Sequence, residues 1–403
     1  MQTSPSPARP PLASAALAGG TDPAAVQSAH ARIAQAVGGQ LVQTAYGDEV
    51  QTSYGDKVAL SAAQPAPASG SVAEAESLDG FVAALTDLST IAVSGEDAAA
   101  FLHAQLTNDI EHLSPGDARL AGYCTAKGRL LALFAAWRDT DAIRLALSQP
   151  VAGPLRKRLA MYVLRSKARL VDEADRVAVL GLAGPAGERA LRALGVQSPG
   201  AMRTAALSKD AGDGSAWAGT VVGLTPAPLA VHAAGPSQRW LVVLPLEHVE
   251  AAWATLAAHA APAPSSAWRL TEVLSGVPRI APGAQELFVP QMLNLELVGA
   301  VDFRKGCYPG QEVVARSQYL GKLKRRTFAA VVADRAEPAP GADILADGFR
   351  EPVGQVVMAA PDAAAGVALL FEAQVQAVRE GTLRLNAEGA ALALRELPYA
   401  FPA

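Results

Sequence analysis

Cysteine is the side chain that best combines nucleophilicity, redox activity and metal affinity, and this chain has two, Cys124 and Cys307. Cys307 sits in Asp302-Phe303-Arg304-Lys305-Gly306-Cys307-Tyr308-Pro309-Gly310-Gln311-Glu312, with Arg316 one helical turn beyond Glu312. Two cations, Arg304 and Lys305, precede the thiol, and nearby positive charge favours thiolate over thiol. A helix N-terminus just after it would add to this. Pro309-Gly310 predicts a tight turn, because proline presets φ and glycine accepts positive φ. Such a turn projects Cys307 and Tyr308 to one side and starts the next element at Gln311. The thiol could then serve as a nucleophile, a redox centre or a soft metal ligand. A buried cysteine packed beside a structural turn is the alternative, and for Cys124 it is the sole reading.

The elements that must position this turn follow from the apolar spacing. Strands are expected at Thr90–Ser94, Leu130–Trp137, Ala142–Leu147, Ala178–Leu182 and Trp240–Leu244. Helices are expected at Ala98–Gln105, at Leu155–Leu164 with Arg156, Lys157 and Arg158 exposed, near Gly187–Leu194 and around Trp268–Leu274. Short strands separated by glycine turns, from Thr327–Val332 to Thr382–Leu385, predict a small β-barrel over residues 326–403. Residues 79–325 then form an α+β region of two subdomains, with a proline-rich break near 261–265. Residues 1–78 read as a low-complexity, largely disordered extension. Within it a short helix at Ala25–Val37 and a tandem octad (Val42–Glu49, Val50–Lys57), suited to a short hairpin or a duplicated linker, are the local features.

Composition excludes several classes. The chain has 403 residues, 50% hydrophobic and 18% charged, enough for two or three cores. With 34 basic and 38 acidic residues the net charge is −4, so a general polyanion binder is not expected. Two cysteines without a CxxC give neither a disulfide framework nor a metal array, so no metal site is expected. The alternation of strands and helices lacks a glycine-rich phosphate loop, which disfavours nucleotide folds of that kind. No apolar run is long enough to span a membrane, so no membrane association is expected. A cytoplasmic, reduced setting is the expectation, with the mitochondrial matrix as alternative on the basis of the acid-poor N-terminus.

Lys305-Gly306-Cys307-Tyr308-Pro309-Gly310-Gln311-Glu312 resembles the K-G-C-Y-x-G-Q-E signature of the YgfZ family. Further similar stretches are Phe101-Leu102-His103-Ala104-Gln105-Leu106-Thr107-Asn108-Asp109, Cys124 to Arg129, Ser275-Gly276-Val277-Pro278 and Phe288-Val289-Pro290-Gln291 with Asn294-Leu295. The resemblance spans roughly residues 79–400. It implies the α+β fold of the glycine cleavage T-protein (the aminomethyltransferase folate-binding fold) with a C-terminal small β-barrel. It also implies tetrahydrofolate or a folate derivative as cofactor. Iron–sulfur proteins would be the clients and tRNA modification the downstream process, without direct tRNA binding.

Cys307 and Lys305 are the implied catalytic pair, at the mouth of a pterin-sized cavity. Gly306, Tyr308, Gly310, Gln311, Glu312 and Arg316 form the motif scaffold. T-proteins carry a related turn here without the Cys-Tyr pair, which singles out Cys307. They also place a catalytic aspartate after a Gly-Gly turn, whereas Lys127-Gly128-Arg129-Leu130-Leu131-Ala132 has no carboxylate. Aminomethyl transfer would lack its acid, so an accessory role is favoured over an enzymatic one, with folate-dependent aminomethyltransferase or tRNA-binding module as alternatives. Candidate folate contacts are Lys127, Arg129, Arg269 and Trp240, the position four before Gly276 being Glu272 rather than arginine. The cluster Lys322, Lys324, Arg325 and Arg326 reads as a solvated strand edge.

Overall fold

A computed structural model describes residues 21–52, 79–210, 216–228, 237–319, 323–334 and 336–401. Three large sheets, besides a two-stranded hairpin, organise them. One runs Thr204–Asp210, Ala216–Ala227, Ser237–Pro245, Val177–Ala183, Phe81–Ala84 and Ala261–Ala263. A second, of five strands, runs Ala118–Cys124, Leu130–Arg138, Ile143–Ser148, Leu88–Ser94 and Arg169–Asp172. The third is a curled, six-stranded antiparallel half-barrel from Leu383–Arg384 to Ala393–Arg395, built on Arg325–Val332, Gly354–Asp362 and Gly366–Gln374. The α+β class and the C-terminal half-barrel agree with the sequence expectation.

Strand periodicity sets the layers. In Val177–Ala183, Val179 and Ala183 face the central core, while Ala178, Leu180 and Leu182 face an outer core. Leu133, Ala135 and Trp137 likewise point inward, and Ala132, Phe134 and Ala136 point outward. Each N-terminal sheet thus turns one face to a shared interior and covers the other with helices, as two-faced strands require. Gly184–Ala193 and Val249–Ala257 cover the first sheet, and Ala98–His103 with Gln149–Ala160 cover the second. The helix Ser265–Ser275 lies inside the shared core, where Trp268 is fully buried.

Three expectations change. Residues 21–52 are not a disordered extension: Pro23–Ala36 is a helix capped by Asp22, and Gln40–Thr44 pairs with Gly47–Gln51 in a hairpin. Tyr46 and Val50 are buried, which is the apolar burial that orders this otherwise biased segment. The remainder of the extension, including most of the second octad, lies outside the described residues. The break near 261–265 is instead an edge strand, Ala261–Ala263, pairing in parallel with Phe81–Ala84. Arg156 is buried, not exposed, because it sits on the inner stripe of its helix with Val151, Ala152 and Leu155.

Candidate functional site

The expected turn exists. Gly310 has φ +81°, the Gln311 amide donates to the Tyr308 carbonyl at 3.1 Å, and the helix Gln311–Tyr319 starts where predicted. Glycine is required twice over, because a β-carbon on Gly310 would lie 2.5 Å from the Thr125 carbonyl and 2.6 Å from Gly128 Cα. The turn is therefore seated on the Thr125–Arg129 loop. Gln291 Nε2 donates to the Val314 carbonyl at 2.6 Å and so holds the following helix. The loop before the turn is stitched as well: Thr107 Oγ1 donates to the Ala300 carbonyl, and Asn108 Nδ2 to the carbonyls of Leu120 and Gly299. Gly310 thus fixes the turn itself, and Gln291, Thr107 and Asn108 hold the segments on either side of it.

The side chains of the turn diverge. Cys307 is exposed, while Tyr308 is buried in the central core, so they do not share a side as the turn suggested. An apolar ring follows the interior, and burial pushes its hydroxyl pKa up. Arg304 projects into solvent near Asp302. Lys305 folds inward, and its Nζ donates to the carbonyls of His103 and Leu106 and lies 4.9 Å from the Tyr308 ring centroid. Burial pulls Lys305 down to about 8, against the opposing pull of Asp109, Asp302 and Cys307. Glu312 and Arg316 form an exposed i,i+4 contact at 3.7 Å.

Two residues within the motif stretches escaped the sequence reading. His103 Nδ1 lies 3.0 Å from Asp109 Oδ1, and His103 Nε2 is 3.6 Å from the point where a Gly306 β-carbon would sit. Burial raises the Asp109 carboxyl, but donors from the His112 backbone and ring, with Arg119, outweigh it and hold it down to about 2. The signal was present: a histidine and an aspartate six positions apart in the stretch that abuts the cysteine turn.

The second feature is a cavity between the two N-terminal sheets. Leu88, Leu120, Leu133 and Leu241 wall it, and Thr225, Arg239, Glu272 and Arg279 supply its polar lining. Arg239 is held by the Thr225 carbonyl and by Thr271 Oγ1, and burial lowers it to about 10. Arg279 bonds Asp87 Oδ2 and Glu272 Oε2, each at 2.5 Å. Cys307 is not among the lining residues. The strand Ala118–Cys124 carries Leu120 at the cavity and ends just before Thr125, on which the cysteine turn sits.

The candidate folate contacts are dispersed. Arg269 is sealed in the core: it donates to Glu49, to Glu337 Oε2 at 2.7 Å and to the Ala359 carbonyl at 2.8 Å, under the Tyr46 ring. Burial opposes its charge, yet Glu49 and Glu337 raise its pKa. Glu272, on the neighbouring face of the same helix, is the residue that reaches the cavity. Trp240 is buried in the outer core with Nε1 on the Pro199 carbonyl at 2.8 Å, because strand alternation sends Arg239 inward and Trp240 outward. Lys127 is exposed and Arg129 donates to the Leu287 carbonyl, so both belong to the loop under the cysteine turn. Arg325 and Arg326 are not a solvated edge either; they pair with Glu372 and Glu296.

Comparison with known proteins decides the family. The chain is 31% identical over 327 residues to the tRNA-modifying protein YgfZ of Edwardsiella ictaluri, covering 78% of this chain and 91% of that protein. The chain belongs to the YgfZ family. YgfZ of Vibrio vulnificus is 30% identical over 248 residues, or 61% of this chain and 68% of that protein. No family model matches the sequence. The crystal structure of the glycine cleavage system aminomethyltransferase T from Bartonella henselae superposes with a TM-score of 0.67 over 92% of this chain and 96% of that one, at 16% identity. The YgfZ-family chain therefore has the aminomethyltransferase T fold. No helix among its described residues is long and apolar enough to cross a membrane.

Proposed function

We propose that this chain is a tetrahydrofolate-binding accessory protein that supports iron–sulfur cluster assembly or repair, and through it tRNA modification, by means of the Cys307 thiol. The observation that supports the reading is the exposure of Cys307 on a turn fixed by Gly310 and by the bonds of Lys305 to the His103 and Leu106 carbonyls. A cysteine that served packing alone would be turned inward, as Cys124 is, where burial raises the thiol to about 12.

The chemistry of the cavity lining supports the folate part of this reading. Apolar walls suit a flat pterin ring, and both Arg279 bonds to Glu272 fall on Oε2, so Oε1 can accept from ring N–H groups. Arg239 supplies a fixed cation beside it. Bound there, tetrahydrofolate would supply one-carbon or reducing chemistry; the chain's residues would bind and orient it. At Leu131, where a carboxylate would be needed for aminomethyl transfer, an apolar side chain is buried in the outer core. An accessory role is the better fit.

Two measurements test the two halves separately. Glu272→Gln should weaken tetrahydrofolate binding about tenfold in a calorimetric titration, because a neutral amide replaces the charged acceptor. Wild-type affinity in that variant removes the cavity from the reading. Cys307→Ala should lower iron–sulfur enzyme activity in cells while leaving tetrahydrofolate affinity intact; undiminished activity removes the thiol.

A further inference from the structure

We propose that the turn at residues 161–164, with the cations that flank it in the chain, docks this protein onto an anionic lipid surface. The proposal stands apart from the folate and thiol readings.

The turn continues the helix Gln149–Ala160 in a succession of short bonds. The amides of Met161, Tyr162 and Val163 donate to the carbonyls of Arg158, Leu159 and Ala160, and the Ser166 amide closes back on the Val163 carbonyl at 2.7 Å. Val163 is buried in the outer core of the second sheet and anchors the turn. Its neighbours are left outside: Met161 is 62% exposed, Tyr162 46% and Leu164 71%. Other exposed large apolar side chains among the described residues, such as Val42, Val313 and Leu394, stand singly in the sequence and call for no explanation. A cluster within four positions does. Leu164 also sits at φ +45°, in the left-handed region that a bulky residue rarely enters. Neither core packing nor backbone preference accounts for a leucine at that position, so the strain points to a use for the exposed side chain.

Charge selects the kind of surface. From Gln149 to Val171 the chain has six basic residues and no acidic one. Arg156 is buried, Arg158 is half-buried against Tyr123, and Lys167 pairs with Glu96 at 2.6 Å. Lys157, Arg165 and Arg169 are exposed on either side of the turn. In a chain of net charge −4 this is a local excess of positive charge. Like charge opposes a second copy pairing through the same patch. RNA would take the cations and stack on the Tyr162 ring, but would leave Met161 and Leu164 in water. An anionic bilayer uses every part. Apolar Met161 and Leu164 enter the acyl boundary, the amphipathic tyrosine sits at headgroup depth, and the cations meet the lipid phosphates. Such a contact needs no spanning helix.

The test is flotation of the purified full-length protein with vesicles of phosphatidylcholine alone and of an equimolar phosphatidylcholine–phosphatidylglycerol mixture. Binding is expected to the mixed vesicles only, and it should weaken as salt is raised. Lys157→Gln and Arg165→Gln should each weaken it about fivefold, the contribution of one cation near such a surface. Leu164→Asn should weaken it at least about tenfold through the lost apolar burial. Asparagine accepts the left-handed backbone, so this variant keeps the fold. Tyr162→Trp reports depth, and its emission should be quenched by brominated acyl chains in the mixed vesicles. Absence of flotation with the mixed vesicles at low salt overturns the proposal, as does flotation that Leu164→Asn leaves unchanged. Binding of bulk tRNA that Lys157→Gln weakens, without flotation, assigns the patch to RNA and overturns it too. The assay contains neither folate nor client protein, so its outcome is separate from the fate of the folate-cavity reading.

Discussion

At the cysteine turn the charged side chains are either in water or bonded to backbone carbonyls, whereas around the helix Ser265–Ser275 three arginines are buried with their partners. Arg239, Arg269 and Arg279 are each at most 4% exposed, and each is satisfied by carbonyls, a hydroxyl or carboxylates from other elements. The first arrangement leaves a reactive group accessible on a fixed backbone. The second joins layers, because a buried guanidinium without its partners is strongly unfavourable. Sequence position does not distinguish them; the elements packed against them do.

The sharpest way to separate the two regions is Arg269→Ala. It strands Glu49 in the interior, releases the exposed Glu337, and should lower stability by about 3–5 kcal/mol in urea denaturation. Less severe is Gly310→Ala, which forces a side chain into φ +81° against the Thr125 carbonyl and should cost about 1–3 kcal/mol. It should also change Cys307 labelling, whereas Arg269→Ala should not in the fraction that remains folded. Smaller again is the pH dependence of Lys305. Its ammonium releases a proton near pH 8 in the folded chain but near 10.5 when unfolded, so between those values the unfolded state binds more protons. Wild-type stability relative to Lys305→Met should therefore rise with pH across that window, and a relative stability that falls instead would contradict the buried placement. Smallest is Cys307→Ala, whose denaturation midpoint should correspond to a change within about 0.5 kcal/mol.

The turn was legible because its information is local: Pro309-Gly310 fixes the backbone, and Gln311 starts a helix wherever that turn forms. Strands such as Leu88–Ser94 and Val177–Ala183 were legible for the same reason, since continuous apolar runs mark strands buried on both faces. The partners of Arg269 were not, because Glu49 lies 220 positions away in a segment whose composition argued for disorder. Trp240 and Arg239 illustrate a narrower failure. The strand was read correctly, but which alternate residue faces the cavity depends on what packs on each side of the sheet. His103 and Asp109 stood in a stretch already singled out, and only the fold brings them to Gly306.

The hairpin Gln40–Gln51 delivers Glu49 to Arg269, Tyr46 to the Ala359 amide and the Val50 amide to Ser265 Oγ. Acid and guanidinium therefore tie the leading segment to the core. A chain without the upstream ribbon would leave Arg269 with Glu337 and the Ala359 carbonyl only, and one that neutralises position 269 would leave Glu49 without its bonded guanidinium. Across relatives the two should be kept or lost together, a covariation that links this leading segment to the ancestry of the whole architecture.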